Sequence, residues 1–450
     1  MRYVLVGGSV AGIAAAEAIR SRDPSGEILM ISDESYGAYA RPLISHYLAG
    51  QVSDEQILYR SEDFYQRLRI DPRFGSRVTA LDTDRQQVCL ESGERIGYDR
   101  LLLAVGSVPV FPKIPGLTLE GVFGFRGFAD ARKLAEKADE VRRVVVIGGG
   151  FIGLVCAMAL RQVGVQVTVV EVLSRLMALM LDERGAKLVQ GRLEQEGIVV
   201  RTDTSVQKIL GSSKLGVQGV ILDDDSEIPA DLVVVATGVQ PNLDLVRDTA
   251  IRHRRGILVD ETLQTNVPGV YAAGDVVEAY DCLRQDLSLN ANWPCAYEQG
   301  RIAGLNMAGA VRNYQGGYAM NSLDVFGLPC ISMGIVNPVG NGYEFRVKSA
   351  PGRSVYKKLV FHQDRLVGAI CLGEITRAGV LNRLLREGLN VKTVKDDILE
   401  ERQGYIEFLK RIDRPEMEGN VQWPSAMGMA KKFKKQFDEK RLMERMQEKG

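Results

Sequence analysis

The chain has 450 residues, 45% of them apolar and 25% charged, so two or three domains with sizeable buried cores are expected and disorder as the main state is excluded. Lys plus Arg and Asp plus Glu each number 57, a balance that argues against a dedicated nucleic-acid binder, which is usually basic. No apolar run reaches the roughly 18 residues a spanning helix needs.

In chain order, Tyr3–Val6 reads as an apolar β run, Gly7–Gly12 as a glycine-rich turn, Ile13–Ile19 as helix and Ile28–Ile31 as a second β run. That is a βαβ unit, and with Arg2–Val6 already reading as strand no cleavable leader is expected before it. Pro109, Pro112, Pro115 and Gly116 punctuate the next stretch as a linker. The plan then recurs, with Val144–Ile147 as strand, Gly148–Gly153 as turn, Leu154–Leu160 as helix and Val167–Val170 as strand. Pro241 closes this second unit. The segment Asn242–Gly317 carries a further glycine turn and is expected to return to the first domain. From Tyr318 to about Arg411 mixed strands and helices form a third domain, and a tail follows Ile412.

The second turn, Gly148-Gly149-Gly150-Phe151-Ile152-Gly153, is a full G-x-G-x-x-G between a strand and a helix. Gly148 permits the tight turn, Gly150 lets the backbone approach a pyrophosphate, and Gly153 lets helix and strand pack closely. The helix N-terminus then faces the phosphates. Glu171 ends the next strand 18 residues after Gly153, placed to accept the ribose 2′-hydroxyl and repel a 2′-phosphate, so NAD(H) is preferred over NADP(H); Arg175 lies close enough to soften that preference. The first turn, Gly7-Gly8-Ser9-Val10-Ala11-Gly12, has Ser9 in the middle place. Asp33, 21 residues after Gly12, is its ribose carboxylate, with Glu34 the alternative. A fold that builds this unit twice binds two nucleotides.

Further along, Tyr271-Ala272-Ala273-Gly274-Asp275 is a short apolar strand ending in Gly-Asp, and Leu232–Val235 leads into Ala236-Thr237-Gly238. With the two turns, these motifs over roughly residues 1–410 resemble the FAD-dependent pyridine nucleotide–disulfide oxidoreductase superfamily. The resemblance implies an α/β fold of two Rossmann-like dinucleotide-binding domains, for FAD and for an inserted NAD, plus a C-terminal α+β interface domain and a helical tail. The implied boundaries are 1–114 and 242–317 for FAD, 115–241 for NAD(H), 318–411 for the interface domain and 412–450 for the tail. Asp275 would contact the FAD ribityl chain, and Ala104-Val105-Gly106 and Ala236-Thr237-Gly238 match the paired strand ends that link the domains. Tyr39-Ala40-Arg41-Pro42-Leu43 and Trp293-Pro294 with Gln299-Gly300 look like the branch of NADH:rubredoxin reductases and flavin subunits of larger oxidoreductases. In that branch Arg41 and Pro42 would lie near the isoalloxazine, and a helix beginning near Ala296 would aim its positive end at the flavin N1/O2 edge. For Trp293 and Gln299, plain packing and a helix surface is the other reading.

Two departures narrow the chemistry. Disulfide reductases of the family carry a C-x-x-x-x-C pair after the first βαβ unit, and its peroxidases a single cysteine near there, whereas the first cysteine here is Cys89. The six cysteines are never closer than 13 positions, so no metal site is expected and buried apolar thiols in the cytoplasm are the default. Where many relatives pair a lysine and a glutamate near the flavin, this chain has His46 and Val155. His46 either protonates to tune the flavin or is an ordinary helix histidine.

The expected activity is hydride transfer between NAD(H) and FAD, with electrons exchanged between FAD and an iron–sulfur or metal-containing partner protein or subunit. A stand-alone NADH:rubredoxin or ferredoxin reductase and a non-catalytic nucleotide-sensing flavoprotein are the alternatives. The interface domain would build a homodimer or pair with a different subunit. Residues Ala426–Gly450 hold eight Lys or Arg against four Asp or Glu, with Met429, Phe433 and Phe437 at helical spacing. That tail reads as a terminal helix, a subunit-docking element or a membrane-surface helix.

Overall fold

The computed structural model describes residues 1–400. Two parallel five-stranded sheets dominate it. The first runs Val270–Ala272, Arg100–Leu103, Arg2–Val6, Glu27–Ile31, Ile70–Arg73. The second runs Val122–Gly124, Leu232–Val235, Arg143–Ile147, Gln166–Val170, Val199–Arg201. Their inner strands are apolar runs buried on both faces, as covered sheets require, while the edge strands Ile70–Arg73 and Val199–Arg201 are partly exposed. In each, strand order reverses beside the strand that feeds the glycine turn, and crevices open at such switch points.

The first sheet is assembled from residues on both sides of the second, as expected of an inserted unit. The crossings are not slack linkers. Ser107–Pro109 pairs antiparallel with Val239–Pro241, so the chain enters and leaves through one two-stranded ribbon. Prolines suit such a short edge pair, which asks for few amide donors.

The helices begin inside the glycine motifs, earlier than the apolar pattern implied. They span Val10–Arg22, starting three residues before Ile13, and Phe151–Gln162, starting three before Leu154. The first packs against the helix Trp293–Met307. The contact is close: a Cβ on Gly300 would fall 2.1 Å from the Ala11 carbonyl oxygen.

Beyond them lies an antiparallel sheet ordered Met320–Val325, Leu328–Gly334, Arg365–Leu372, Val355–His362, Tyr343–Ala350. Helices Ala378–Glu387 and Lys395–Glu400 cover it through Leu381, Leu384, Leu385 and Ile398. The tail and the last eleven residues of the expected third domain lie outside the described residues. Among those described, no helix is long and apolar enough to cross a membrane.

Candidate functional site

Each glycine turn is forced by its own backbone. Gly7 and Gly148 hold φ of +119° and +113°, where L side chains are disfavoured, and a Cβ on either would sit 2.2 or 2.3 Å from the carbonyl oxygen of Ala104 or Ala236. A Cβ on Gly12 or Gly153 would lie 2.0 or 1.9 Å from the carbonyl oxygen of Gly7 or Gly148. The middle place differs. Ser9 (φ −88°, ψ −168°) and Gly150 (φ −78°, ψ −175°) share an ordinary extended conformation at their helix N-caps, and a Cβ on Gly150 would meet nothing within 4 Å. Ser9 therefore replaces the middle glycine without strain.

The first turn opens on a cavity of about 1690 Å³. Its walls bring together Gly7, Ser9, Ala11, Asp33, Glu34, Arg41, Pro42, His46, Ala104, Gly106, Gly274, Asp275, Trp293 and Ala296, all foreseen from sequence. Phe151 and Ile152 reach it from the second unit. Gly148, Gly150, Gly153, Glu171, Ala236 and Gly238 do not line it.

Between the two carboxylates at the end of the second strand, Asp33 is exposed on the cavity wall. Glu34 is instead engaged, its Oε1 accepting from the Tyr39 hydroxyl at 2.7 Å and lying 3.5 Å from Arg41 Nη2. Arg41 also donates from Nη1 to the Arg126 carbonyl at 2.7 Å and lies 5.0 Å from the Tyr39 ring centre. The Asp275 carboxylate accepts from Ser107 Oγ at 3.0 Å and Arg126 Nη2 at 2.9 Å.

Arg126 is the residue that sequence reasoning missed. It sits between the strand Val122–Gly124 and the helix Phe128–Ala138, its backbone N–H held by Asp130 Oδ2 at 2.8 Å. Burial, reinforced by the nearby Arg41 charge, pulls its guanidinium below the usual arginine range, though a guanidinium stays charged. The only available signal was an arginine wedged between an apolar strand and a helix start.

Gln299 stands behind the wall rather than in it. It is 3% exposed, and its Oε1 accepts from the Gly274 N–H at 2.8 Å. Its helix begins at Trp293, not near Ala296, because Asn292 caps it by accepting from Cys295 N at 3.0 Å and Pro294 fits a first turn that needs no N–H. Trp293 meets Tyr59 edge-on at 5.1 Å. His46 is exposed, its Nδ1 sharing a 2.7 Å hydrogen bond with Gln51 Oε1, and Gln51 donates in turn to Gln162 Oε1 at 3.0 Å. Val155 lines the same cavity.

Glu171 ends its strand as expected but is 8% exposed, and its two oxygens accept from Gly149 N at 2.6 Å and Leu173 N at 2.8 Å. Arg175 donates to the Leu181 and Ala178 carbonyls, both at 3.3 Å.

None of the six cysteines lines the cavity, and all are free thiols. Burial pushes Cys282 and Cys330 up to about 12, which leaves them protonated and unreactive. Among the described residues no cluster of His, Cys, Asp or Glu could hold a metal ion.

The residues present fit two dinucleotides. Both turns form cradles that a Cβ at their tight positions would fill, and the Arg126 Nε–H is buried on the wall of the cavity without a protein partner, a donor suited to an anionic or polar ligand.

Residues 1–300 match the pyridine nucleotide-disulphide oxidoreductase family, and residues 320–389 match the rubredoxin NAD+ reductase C-terminal domain. The chain is 31% identical over 402 residues to the assimilatory nitrate reductase electron transfer subunit of Bacillus subtilis (strain 168), covering 89% of this chain and 51% of that one. It is 31% identical to the NADH-dependent phenylglyoxylate dehydrogenase subunit epsilon of Aromatoleum evansii, covering 85% of this chain and 91% of that one. Among solved structures, the covalent putidaredoxin reductase–putidaredoxin complex superposes with a TM-score of 0.83 at 25% identity, covering 91% of this chain and 98% of that one. The chain thus spans about half of one relative and nearly all of others. It belongs to the pyridine nucleotide–disulphide oxidoreductase family and is an FAD-dependent NAD(H) oxidoreductase.

Proposed function

We propose that this chain is the NAD(H) port of an electron-transfer system whose other half is an iron–sulfur or metal-containing protein or subunit. The observation that carries this reading is a dinucleotide cavity with no cysteine in its wall, so that among the described residues no second redox group stands beside it. The names of its relatives point the same way: an electron transfer subunit of nitrate reductase, a subunit of an NADH-dependent dehydrogenase, and a reductase captured with putidaredoxin.

In this reading the segments 1–114 and 242–317 hold FAD, with Gly7, Ser9 and Gly12 at the pyrophosphate, Asp33 at the adenosine ribose, and Asp275 with Arg126 and Arg41 along the middle of the cavity. Residues 115–241 hold NAD(H) on the second turn, with Glu171 toward the ribose. FAD, when bound, would supply hydride exchange with a nicotinamide and one-electron exchange with the partner. The protein's part is positional. Phe151 and Ile152, which belong to the second turn and also line the cavity, would position a dinucleotide held on that turn toward the one in the cavity. The N-terminus of the Trp293–Met307 helix, which meets the cavity at Trp293 and Ala296, would offer its positive end to negative charge on a bound ring system. Six free thiols fit a cytoplasmic setting.

Anaerobic isolation of the native particle tests the proposal. An iron–sulfur or metal-binding subunit that co-purifies and is reduced through the flavin by NADH supports it. Rapid NADH turnover of an isolated monomer or homodimer with rubredoxin alone favours the stand-alone reductase, the reading that the match at residues 320–389 supports. Failure of NADH to bleach the flavin sinks both.

A further inference from the structure

The loop between Glu171 and the helix Glu183–Gln195 is held by another part of the molecule. Its near end touches the second glycine turn: Glu171 accepts from Gly149 N, and Met177 N donates to the Gly149 carbonyl at 2.9 Å. Met177 has φ +50°, a conformation disfavoured for an L side chain, so the loop needs outside contacts to keep its path. The antiparallel sheet and the loop that follows its strand Leu328–Gly334 supply them. Asn337 Nδ2 donates to the Ala178 and Leu181 carbonyls at 3.1 and 3.0 Å, and Ser332 Oγ donates to the Met180 carbonyl at 2.6 Å.

The far end is anchored to the same sheet. Asp182 caps the helix by accepting from Gly185 N at 3.0 Å, and its other oxygen accepts from the Tyr356 hydroxyl at 2.6 Å and lies 3.2 Å from Lys358 Nζ. Leu176, Met177 and Leu181 share one apolar core with Val325, Leu328, Val336 and Tyr356. The turn, the loop and the sheet form one continuous set of contacts.

We infer that the C-terminal sheet sets the affinity for the nicotinamide dinucleotide, with Asn337, Ser332 and Tyr356 as positioning residues acting through the loop Leu173–Asp182. This rests on the reading that the second turn takes that dinucleotide. None of the three residues lines the cavity, so removing one loosens the loop without altering the flavin's surroundings. Coupling is reciprocal, so a bound dinucleotide must in turn steady the sheet.

The test uses the full-length holoprotein and stopped-flow reduction by NADH, which separates the dissociation constant from the limiting rate. Asn337→Ala with Tyr356→Phe should raise the NADH dissociation constant about tenfold, within the usual range of coupling between sites. The limiting rate, FAD content and melting temperature should stay close to the parent's. A lowered melting temperature with an unchanged dissociation constant overturns the inference by making these contacts merely structural. Glu171→Ala separates the two claims: if it leaves NADH binding intact, the reading of the turn fails; if it weakens binding while the sheet variants do not, the coupling alone fails. Should the double variant not fold, amide exchange in the parent decides. NAD⁺ must slow exchange across Leu328–Asn337, and no change there refutes the coupling.

Discussion

In the first turn the middle place is Ser9, and the carboxylate beyond it, Asp33, stands exposed on the wall of a large cavity. In the second the middle place is Gly150, and Glu171 is buried with both oxygens on backbone N–H groups. The turn that departs from the glycine pattern is the more open; the complete one is drawn in upon itself. Motif fidelity thus reports how the backbone must bend, and the exposure of the following carboxylate reports how open each turn stands. The places that tolerate no side chain, at Gly7, Gly12, Gly148 and Gly153, are the same in both, because there the obstacle is the protein's own carbonyl oxygen.

The largest effect that could break this comparison comes from those shared places. Gly153→Val should slow NADH reduction of the flavin at least about 100-fold, since the added carbons must displace backbone, equivalent to about 3 kcal/mol. FAD content should hold. Gly12→Val should do the reverse and lose FAD, as absorbance of the purified protein would report. If both variants lose both cofactors, the two turns are not separable sites.

Next in size is the choice of nucleotide. With Glu171 ordered and Arg175 spent on two carbonyls, little remains to welcome a 2′-phosphate. NADPH should be about 100-fold poorer than NADH in kcat/KM, the scale of a like-charge contact. Comparable efficiencies would show that Arg175 leaves its carbonyls. Arg126→Met should weaken FAD by about 30-fold in dialysis, because Asp275 would be left without its ion pair. His46→Gln should change the flavin reduction rate by less than about threefold, whereas a loss of about 100-fold would make His46 a proton donor or acceptor. Smallest of all, Ser9→Gly should leave FAD affinity within about twofold, given the strain-free backbone there.

Much of this was legible in the sequence because it is local. The two turns, the strand ending at Asp275 and the carboxylates that follow each unit are all set within about 30 residues. The helix starts were misplaced because Gly12 and Gly153 are poor helix formers, yet close packing puts them in the first turns. Arg126 was invisible because its role depends on Asp275, 149 residues away. Gln299 looked like a wall residue because a sequence shows that a helix is near a site without showing which side chains lie one layer back. Pro109 and Pro241 looked like slack punctuation because nothing local says that two distant prolines will share a ribbon.

That ribbon has a topological consequence. Because the outgoing and returning strands lie side by side, the whole second unit is, to the first sheet, only a very long hairpin loop. Its departure and re-entry points lie side by side, so the unit is inserted without changing any strand neighbour in the parent sheet. The architecture treats the second glycine turn and its sheet as an attachment.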